Sequence, residues 1–183
     1  MFLYEIIVLV LIVAADIASK YAVVSALGVS NGVAERTITV IKGVLEFRYS
    51  ENTGGAWSML SDNTVLLTVF SAICSVGLIV YLFFIKKESK LLRLGIVFFA
   101  AGGIGNLYDR IVFGYVRDFI STVFMEFPIF NVADSFITVG AALVIISLVI
   151  SLIKEGKAEK IKEETENSVE NTAEKTSDSE GND

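Results

Sequence analysis

The sequence predicts an all-α integral membrane protein with four transmembrane helices, a small extracytoplasmic β-hairpin or cradle, and an interfacial loop. Of the 183 residues, 54% are hydrophobic and the mean hydropathy is +0.66, which is too apolar for an ordinary soluble domain. Four apolar stretches each approach the ~20 residues that a helix needs to cross the hydrocarbon core. Acids, amides and two arginines interrupt the last two of these stretches between Gly102 and Ser135. Ionisable residues at membrane depth usually mark a functional site.

The first apolar stretch, Phe2 to Val24, is expected to be a retained helix. Its amino end carries Glu5 and no Lys or Arg, and its apolar run exceeds that of a cleaved signal peptide, although Ser25-Ala26-Leu27 would be a passable cleavage context. Asp16 and Lys20 lie four residues apart on one helix face, and we expect them to form a structural ion pair.

A catalytic dyad of Ser19 and Lys20 is the sharper alternative for this face. Adjacent helical residues diverge by about 100° and do not face each other, so the ion pair is favoured.

Two strand-like segments follow helix one, Thr37 to Ile41 and Val44 to Tyr49, and they predict a hairpin. Leu45, Phe47 and Tyr49 would share one face. We expect this apolar face to lie on the membrane surface or on a bound apolar chain.

The segment Asn52-Thr53-Gly54-Gly55-Ala56-Trp57-Ser58 has the composition of a turn. Asn52 offers a donor and an acceptor to a peptide, and Gly54 permits a close backbone approach. A plain turn into helix two and a substrate-binding turn both fit this composition.

Helices two and three are expected over Thr64 to Ile85 and Leu91 to Phe113. Lysines 86, 87 and 90 lie between them with Arg93 shortly after, and lysines 154 and 157 follow helix four. Positive segments stay in the cytoplasm, so both termini should be cytoplasmic and the hairpin, the Asn52 turn and the Asp118 loop should face outward.

The end of helix three carries a polar face. Gly102, Asn106 and Asp109 recur at the spacing of one helix face. Asp109 beside Arg110 predicts a buried ion-pair network, from which Arg110 could orient a substrate carbonyl.

An aromatic segment, Phe119 to Phe130, suits an interfacial lid or amphipathic turn. Asn131 is then placed as the amino-terminal cap of helix four, Val132 to Ile153, and Asp134 completes a capping-box spacing. Asp134 is therefore either a helix-start acid or part of a reactive pair with Asp118.

The histidine and cysteine content of the sequence excludes several kinds of catalytic site. The chain has no histidine and one cysteine, Cys74, which excludes histidine-based triads and zinc sites, an internal disulfide and cysteine clusters. Two close carboxylates, Asp118 and Asp134, can hydrolyse a peptide bond without metal or cofactor, because one keeps a proton while the other stays charged. The amino terminus of helix four would favour Asp134 as the base and Asp118 as the acid.

The sequence divides into a membrane domain, residues 1–156, and an acidic segment, residues 157–183. This segment holds nine acids against four lysines, and its composition predicts a disordered cytoplasmic tail.

Five segments together resemble the bacterial lipoprotein signal peptidases, the signal peptidase II family. They are Asp16-Ile-Ala-Ser-Lys20, Asn52-Thr-Gly-Gly-Ala-Trp-Ser58, Gly102-Gly-Ile-Gly-Asn-Leu-Tyr-Asp-Arg110, Val116-Arg-Asp-Phe119 and Phe130-Asn-Val-Ala-Asp134. The resemblance spans helices one to four and departs at Gly55, where alanine is usual.

This resemblance implies an aspartyl endopeptidase of the bacterial plasma membrane. It would remove signal peptides from prolipoproteins just before a diacylglyceryl-modified cysteine, with Asp118 and Asp134 as the catalytic acids. The substrate-binding positions implied are Asn52, Gly54, Asn106, Arg110, Asn131 and Ala133, and the structural polar ones are Asp16, Lys20 and Asp109. We expect a monomer among membrane lipids, with no metal, cofactor or nucleic-acid partner.

Two other classes compete with this reading. A carrier or channel could use the same acids as an ion path, although they cluster at one face and no repeat of helix pairs is apparent. A lipid-head-group transferase could hold Mg²⁺ on the acids, but it would want more convergent carboxylates.

Overall fold

The computed structural model describes residues 1–54 and 64–180, with side chains to residue 161. Gly55 and the Ala56-Trp57-Ser58 end of the predicted turn lie outside the described residues. The chain divides into two compact units, Met1–Val144 and Ile145–Asp183. All the packing and the site described below belong to the first unit.

Four long helices confirm the predicted helical membrane architecture. They are α1 (Leu3–Leu27), α2 (Thr64–Phe84), α3 (Lys90–Phe113) and α4 (Val132–Glu180). Each contains a segment long and apolar enough to cross a membrane, and in α4 this segment is Val132–Ile161. The domain boundary at residue 156 and the disorder expected of residues 157–183 stay predictions.

The helix ends follow local sequence signals. Gly28 ends α1 and Gly114 ends α3, both with the positive φ that glycine adopts without strain. Ser89 begins α3, where its hydroxyl accepts a hydrogen bond from the Leu92 amide at 3.1 Å. These caps set where α1 and α3 stop, and therefore where their last polar residues lie.

A buried ion pair that the sequence did not predict ties the other end of α3 to α1. Arg93, which the sequence groups with the lysines expected on the cytoplasmic side, is only 1% exposed. Its Nε and Nη2 donate to the two carboxylate oxygens of Glu5 at 2.7 and 2.8 Å. Its Nη1 donates to the Leu82 and Ile85 carbonyls at 3.0 and 2.7 Å. Arg93 thus joins α1, the end of α2 and the start of α3.

The hairpin is confirmed as β1 (Ile38–Ile41) and β2 (Leu45–Asn52). A third strand, β3 (Val116–Thr122), pairs antiparallel with β2, so the sheet order is β1-β2-β3. The predicted lid over Phe119 to Phe130 is therefore wrong for its first residues, which form the end of β3. Pairing with a distant strand decided the conformation there, and that pairing is not visible in a local pattern.

The expected position of the apolar hairpin face is also corrected. Phe47 and Tyr49 pack against a core cluster of Val23, Leu27 and Phe119, rather than on the membrane surface or on a bound apolar chain. The sheet therefore rests on the end of α1. The following segment, 123–129, lines an open groove of about 770 Å³ together with residues of β2 and β3.

Candidate active site

The polar residues singled out in the sequence meet where α1 and α3 end and α4 begins. β3 brings Asp118 to this point, because it pairs with β2 in a register that sets Ser50 opposite Asp118 and Asn52 opposite Val116. A strand and a helix start therefore supply the two candidate catalytic acids.

Asp118 is 2% exposed and is held by two amides. Its Oδ1 accepts a hydrogen bond from Asn131 Nδ2 at 2.6 Å, and its Oδ2 accepts one from Asn52 Nδ2 at 2.9 Å. Burial raises the pKa of Asp118 to about 7, and the nearby Asp134 carboxylate adds to this while the amide donors oppose it. The Asp118 carboxyl therefore keeps its proton up to neutral pH.

Asp134 forms the predicted capping box with Asn131. The Asp134 amide donates to Asn131 Oδ1 at 2.9 Å, and Asp134 Oδ2 accepts from the Asn131 amide at 3.1 Å. Asp134 Oδ1 also accepts from Asn106 Nδ2 at 2.7 Å. The cap orients the carboxylate, and Asn106 fixes its second oxygen.

Asn131 bridges the two acids. Its backbone amide binds Asp134 and its side-chain amide binds Asp118, while that same Nδ2 also donates to Asn106 Oδ1 at 3.0 Å. The residue is fully buried. One residue thus holds both carboxylates in a single arrangement, through its backbone amide and its side chain, whereas the sequence predicted a helix cap and a substrate-binding position.

The ion pair predicted on α1, between Asp16 and Lys20, is present, and both residues also form hydrogen bonds to other helices. Lys20 Nζ lies 2.8 Å from Asp16 Oδ2 and donates to Asn106 Oδ1 at 3.1 Å. Since that oxygen is occupied by donors, the amide nitrogen of Asn106 must face Asp134. Asp16 Oδ1 accepts from the Ala133 amide at 2.8 Å, so the pair also holds the start of α4.

The expected buried ion-pair network is present around Asp109, but its arginine is Arg117 rather than Arg110. Asp109 binds Arg117 of β3 at 2.8 Å and lies 3.4 Å from Lys20 Nζ. Arg110 remains close enough to Asp118 and Asp134 to interact with them electrostatically. Its buried Nε has no hydrogen-bond partner among the residues that the structure describes.

The remaining candidates also lie at this site. Gly54 is buried, and its amide donates to Asn52 Oδ1 at 3.1 Å, which fixes the Asn52 amide toward Asp118. Ala133 is fully buried with its amide bound to Asp16. Their expected contact with substrate stays a prediction.

Arg117 is the site-adjacent residue that sequence reasoning missed. A usable signal existed, because Asp109 is an acid near the end of a membrane helix and Arg117 follows eight residues later, just across the Gly114 turn. Only the turn geometry shows that these two residues face each other.

A metal site would need several converging ligands. No group of three or more acids, histidines or cysteines that could hold a metal ion occurs within residues 1–54 and 64–161. The prediction that the chemistry needs no metal is tested by the assay below.

The comparisons with known proteins agree with one another. The model of the family described as signal peptidase (SPase) II matches residues 8–150. The lipoprotein signal peptidase of Enterococcus faecalis is 40% identical over 149 residues, which are 80% of this chain and 89% of the relative. That of Lactobacillus johnsonii is 37% identical over 147 residues, 80% and 92% of the two chains.

Two solved structures of a bacterial membrane enzyme share the fold. The structure solved at 2.3 Å resolution superposes on this chain with a TM-score of 0.71 and is 33% identical in sequence. The match covers 81% of this chain and 89% of the solved chain. The structure solved at 1.9 Å resolution has a TM-score of 0.67 and is 34% identical, and the match covers 79% of this chain and 92% of the solved chain.

Fold and site together define a class, the multi-pass membrane proteins whose helix ends enclose a pair of acids. Within that class, the chain belongs to the signal peptidase II family. It is therefore an aspartic peptidase of a bacterial membrane, related to enzymes that process lipoproteins.

Proposed function

We propose that this peptidase removes signal peptides from prolipoproteins by water attack activated by Asp118 and Asp134. Cleavage falls just before a cysteine that carries a diacylglyceryl group. One observation carries the mechanism: a single residue, Asn131, holds both carboxylates. Both acids are thereby kept at one point, as acid–base catalysis by a pair requires.

The environments of the two acids support separate roles. Asp118 holds its proton, since burial raises its pKa to about 7, so it can donate a hydrogen bond to the scissile carbonyl. Asp134 lies in the first turn of α4, where the helix dipole favours a carboxylate, so it can accept a proton from water.

The reaction then balances within the pair. The water oxygen bonds to the carbonyl carbon as Asp134 takes its proton and Asp118 gives its own to the carbonyl oxygen. The carbon–nitrogen bond breaks as Asp134 returns a proton to the leaving amine, and Asp118 recovers its proton from the collapsing intermediate.

The neighbouring residues have binding roles in this proposal. Arg110, whose Nε has no hydrogen-bond partner in the described part of the chain, orients a substrate carbonyl. Asn52 and Asn106 contact the peptide while keeping their hydrogen bonds to the acids. Gly54, Asn131 and Ala133 complete the substrate-binding set.

The proposed location follows from charge. Lysines 86, 87, 90 and 154 support a cytoplasmic location for the α2–α3 connection and both termini, with the helices in the plasma membrane. The site, at the opposite ends of α1 and α3, then opens near the outer face.

A peptide assay tests the proposal. Purified protein in detergent with EDTA is given a prolipoprotein peptide with or without the diacylglyceryl group on its cysteine, and the products are identified by mass spectrometry. We expect cleavage only of the modified peptide, directly before the cysteine. Equal cleavage of both peptides, a different bond, or loss of cleavage with EDTA would contradict it.

A further inference from the structure

Arg117 has no role in the function proposed above, yet it directly precedes Asp118 on β3. We propose that Arg117 is a positioning residue that sets the location of Asp118 through a clamp on Asp109, an inference that rests on the proposed function.

The clamp consists of three hydrogen bonds from one residue to one carboxylate. The Arg117 amide donates to Asp109 Oδ2 at 2.9 Å, its Nε donates to the same oxygen at 3.2 Å, and its Nη2 donates to Oδ1 at 2.8 Å. Because the backbone amide takes part, the clamp fixes the Val116–Arg117 peptide unit on β3, one peptide unit before the one that joins Arg117 to Asp118, as well as a side chain.

The guanidinium of Arg117 also lies against two aromatic rings, one on α1 and one on α3. Its Cζ lies 4.3 Å from the centre of the Tyr21 ring on α1 and 4.2 Å from that of Phe113 at the end of α3. Arg117 is 3% exposed. β3 is therefore anchored to α1 and α3 one residue before the proposed acid.

The clamp also controls charge at the site. Asp109 lies 3.4 Å from Lys20, which is bound more closely to Asp16 and donates to Asn106. Without Arg117, the buried Asp109 would have Lys20 as its closest cation in the described structure. Lys20 would then be drawn toward it and away from the Asn106 amide that binds Asp134.

An arginine suits this position better than a lysine. The planar guanidinium reaches both carboxylate oxygens and lies against both rings, whereas an ammonium is a point charge without this fork. The conservative variant Arg117→Lys therefore keeps the charge but loses the geometry.

The test compares Arg117→Met, Arg117→Lys and the double variant Asp109→Asn/Arg117→Met in the cleavage assay. We expect Arg117→Met to lower kcat about 10- to 100-fold with KM changed less than about threefold, because a small displacement of a catalytic group slows chemistry more than binding. Arg117→Lys should recover only part of kcat. The double variant should recover thermal stability, since no buried acid is left unpaired, but should keep the low kcat.

The pH profile is the readout that a purely structural role would not move. Asp118 interacts with Asp134 on α4, Lys20 on α1 and Arg110 on α3, and a moved carboxyl would change its distance to all three. We expect the alkaline midpoint of kcat to shift by about 0.5 pH unit or more in the double variant.

The chain contains a matched control at the far end of α3. Arg93 makes an equally buried, bidentate pair with Glu5, and its guanidinium lies 4.7 Å from the Phe2 ring. Glu5→Gln/Arg93→Met should lower stability but leave the kcat of folded enzyme and its pH midpoint unchanged.

The outcomes separate this inference from the proposed function. If wild type cleaves, Asp118→Asn does not, and the double Arg117 variant matches wild type in kcat and pH midpoint, the function stands and the positioning role is refuted. Equal effects of the Arg93 control would also refute it. If wild type does not cleave, both proposals fail.

Discussion

Asp118 differs from an ordinary strand aspartate in how completely it is removed from water. It is 2% exposed and faces a second acid, while Asn52 and Asn131 supply the hydrogen bonds that make the buried carboxyl tolerable. Burial outweighs these donors and raises its pKa to about 7. The same burial that keeps the proton on Asp118, the proposed acid, must also affect stability.

The activity of the wild-type protein should fall as pH rises through about 7. Asp118 must be protonated to donate to the substrate, and with a pKa of about 7 it loses this proton above neutrality. The measurement is kcat between pH 5.5 and 9 with substrate at saturation. A constant kcat from pH 6 to 9 would contradict the assignment of Asp118 as the acid.

The pH dependence of folding stability provides an independent test of the raised pKa of Asp118. The folded form binds the Asp118 proton more tightly than the unfolded form, so stability falls as pH rises from the ordinary value of 3.8 toward 7. Between pH 5 and 8, wild type should lose about 2–3 kcal/mol more than Asp118→Asn. The change in the free energy of unfolding between the two pH values is taken within each protein. Any pH-independent effect of the asparagine on the hydrogen bonds therefore cancels.

At the scale of elements, the site depends on how closely α3 and α4 approach. A Cβ atom on Gly102 would collide with the Ala133 carbonyl and lie 2.7 Å from Ile137 Cγ1, so only glycine fits there. Gly95 and Gly140 face each other in the same way further along the helices. This contact sets the start of α4, and Asp134 with it.

Gly102→Ala should therefore destabilise the protein by about 1–3 kcal/mol and lower activity, because α4 must move away from α3. Gly77 on α2 is the matched control, since a Cβ there meets nothing within 4 Å in the described structure. Thermal unfolding and cleavage of both variants are measured together. If Gly102→Ala behaves like Gly77→Ala, the close approach does not position Asp134.

The elements differ in how far the sequence predicts them. The helices and the hairpin follow from local apolar patterns, and the Asn131 cap from a three-residue spacing. β3 was missed because its conformation depends on pairing with β2, more than 60 residues earlier in the chain. The partner of Asp109 was missed for a related reason, since the turn at Gly114 folds Arg117 back onto α3.

At the scale of the whole molecule, the predicted orientation in the membrane rests on a few exposed charges. Arg93 no longer counts among them, because it is buried against Glu5. Lys86, Lys87 and Lys90 remain exposed between α2 and α3, and they lie at the opposite ends of the helices from the candidate site. The predicted orientation therefore depends on these lysines and on Lys154 and Lys157 of α4.

Cysteine labelling tests this orientation. In a Cys74→Ala background, Lys42→Cys in the β1–β2 turn should react with a membrane-impermeant maleimide in intact cells. Lys87→Cys should react only after the cells are permeabilised. Both lysines are exposed, so accessibility within the protein is matched. The reverse labelling pattern would show that the site faces the cytoplasm.

The central claim is that Asp118 and Asp134 act together without a metal. The most direct measurement is cleavage of the diacylglyceryl-modified peptide in EDTA by wild type, Asp118→Asn and Asp134→Asn, at equal amounts of folded protein. We predict that wild type cleaves before the modified cysteine and that each variant loses at least about 10²-fold in rate. Near-normal cleavage by either variant would contradict the acid pair.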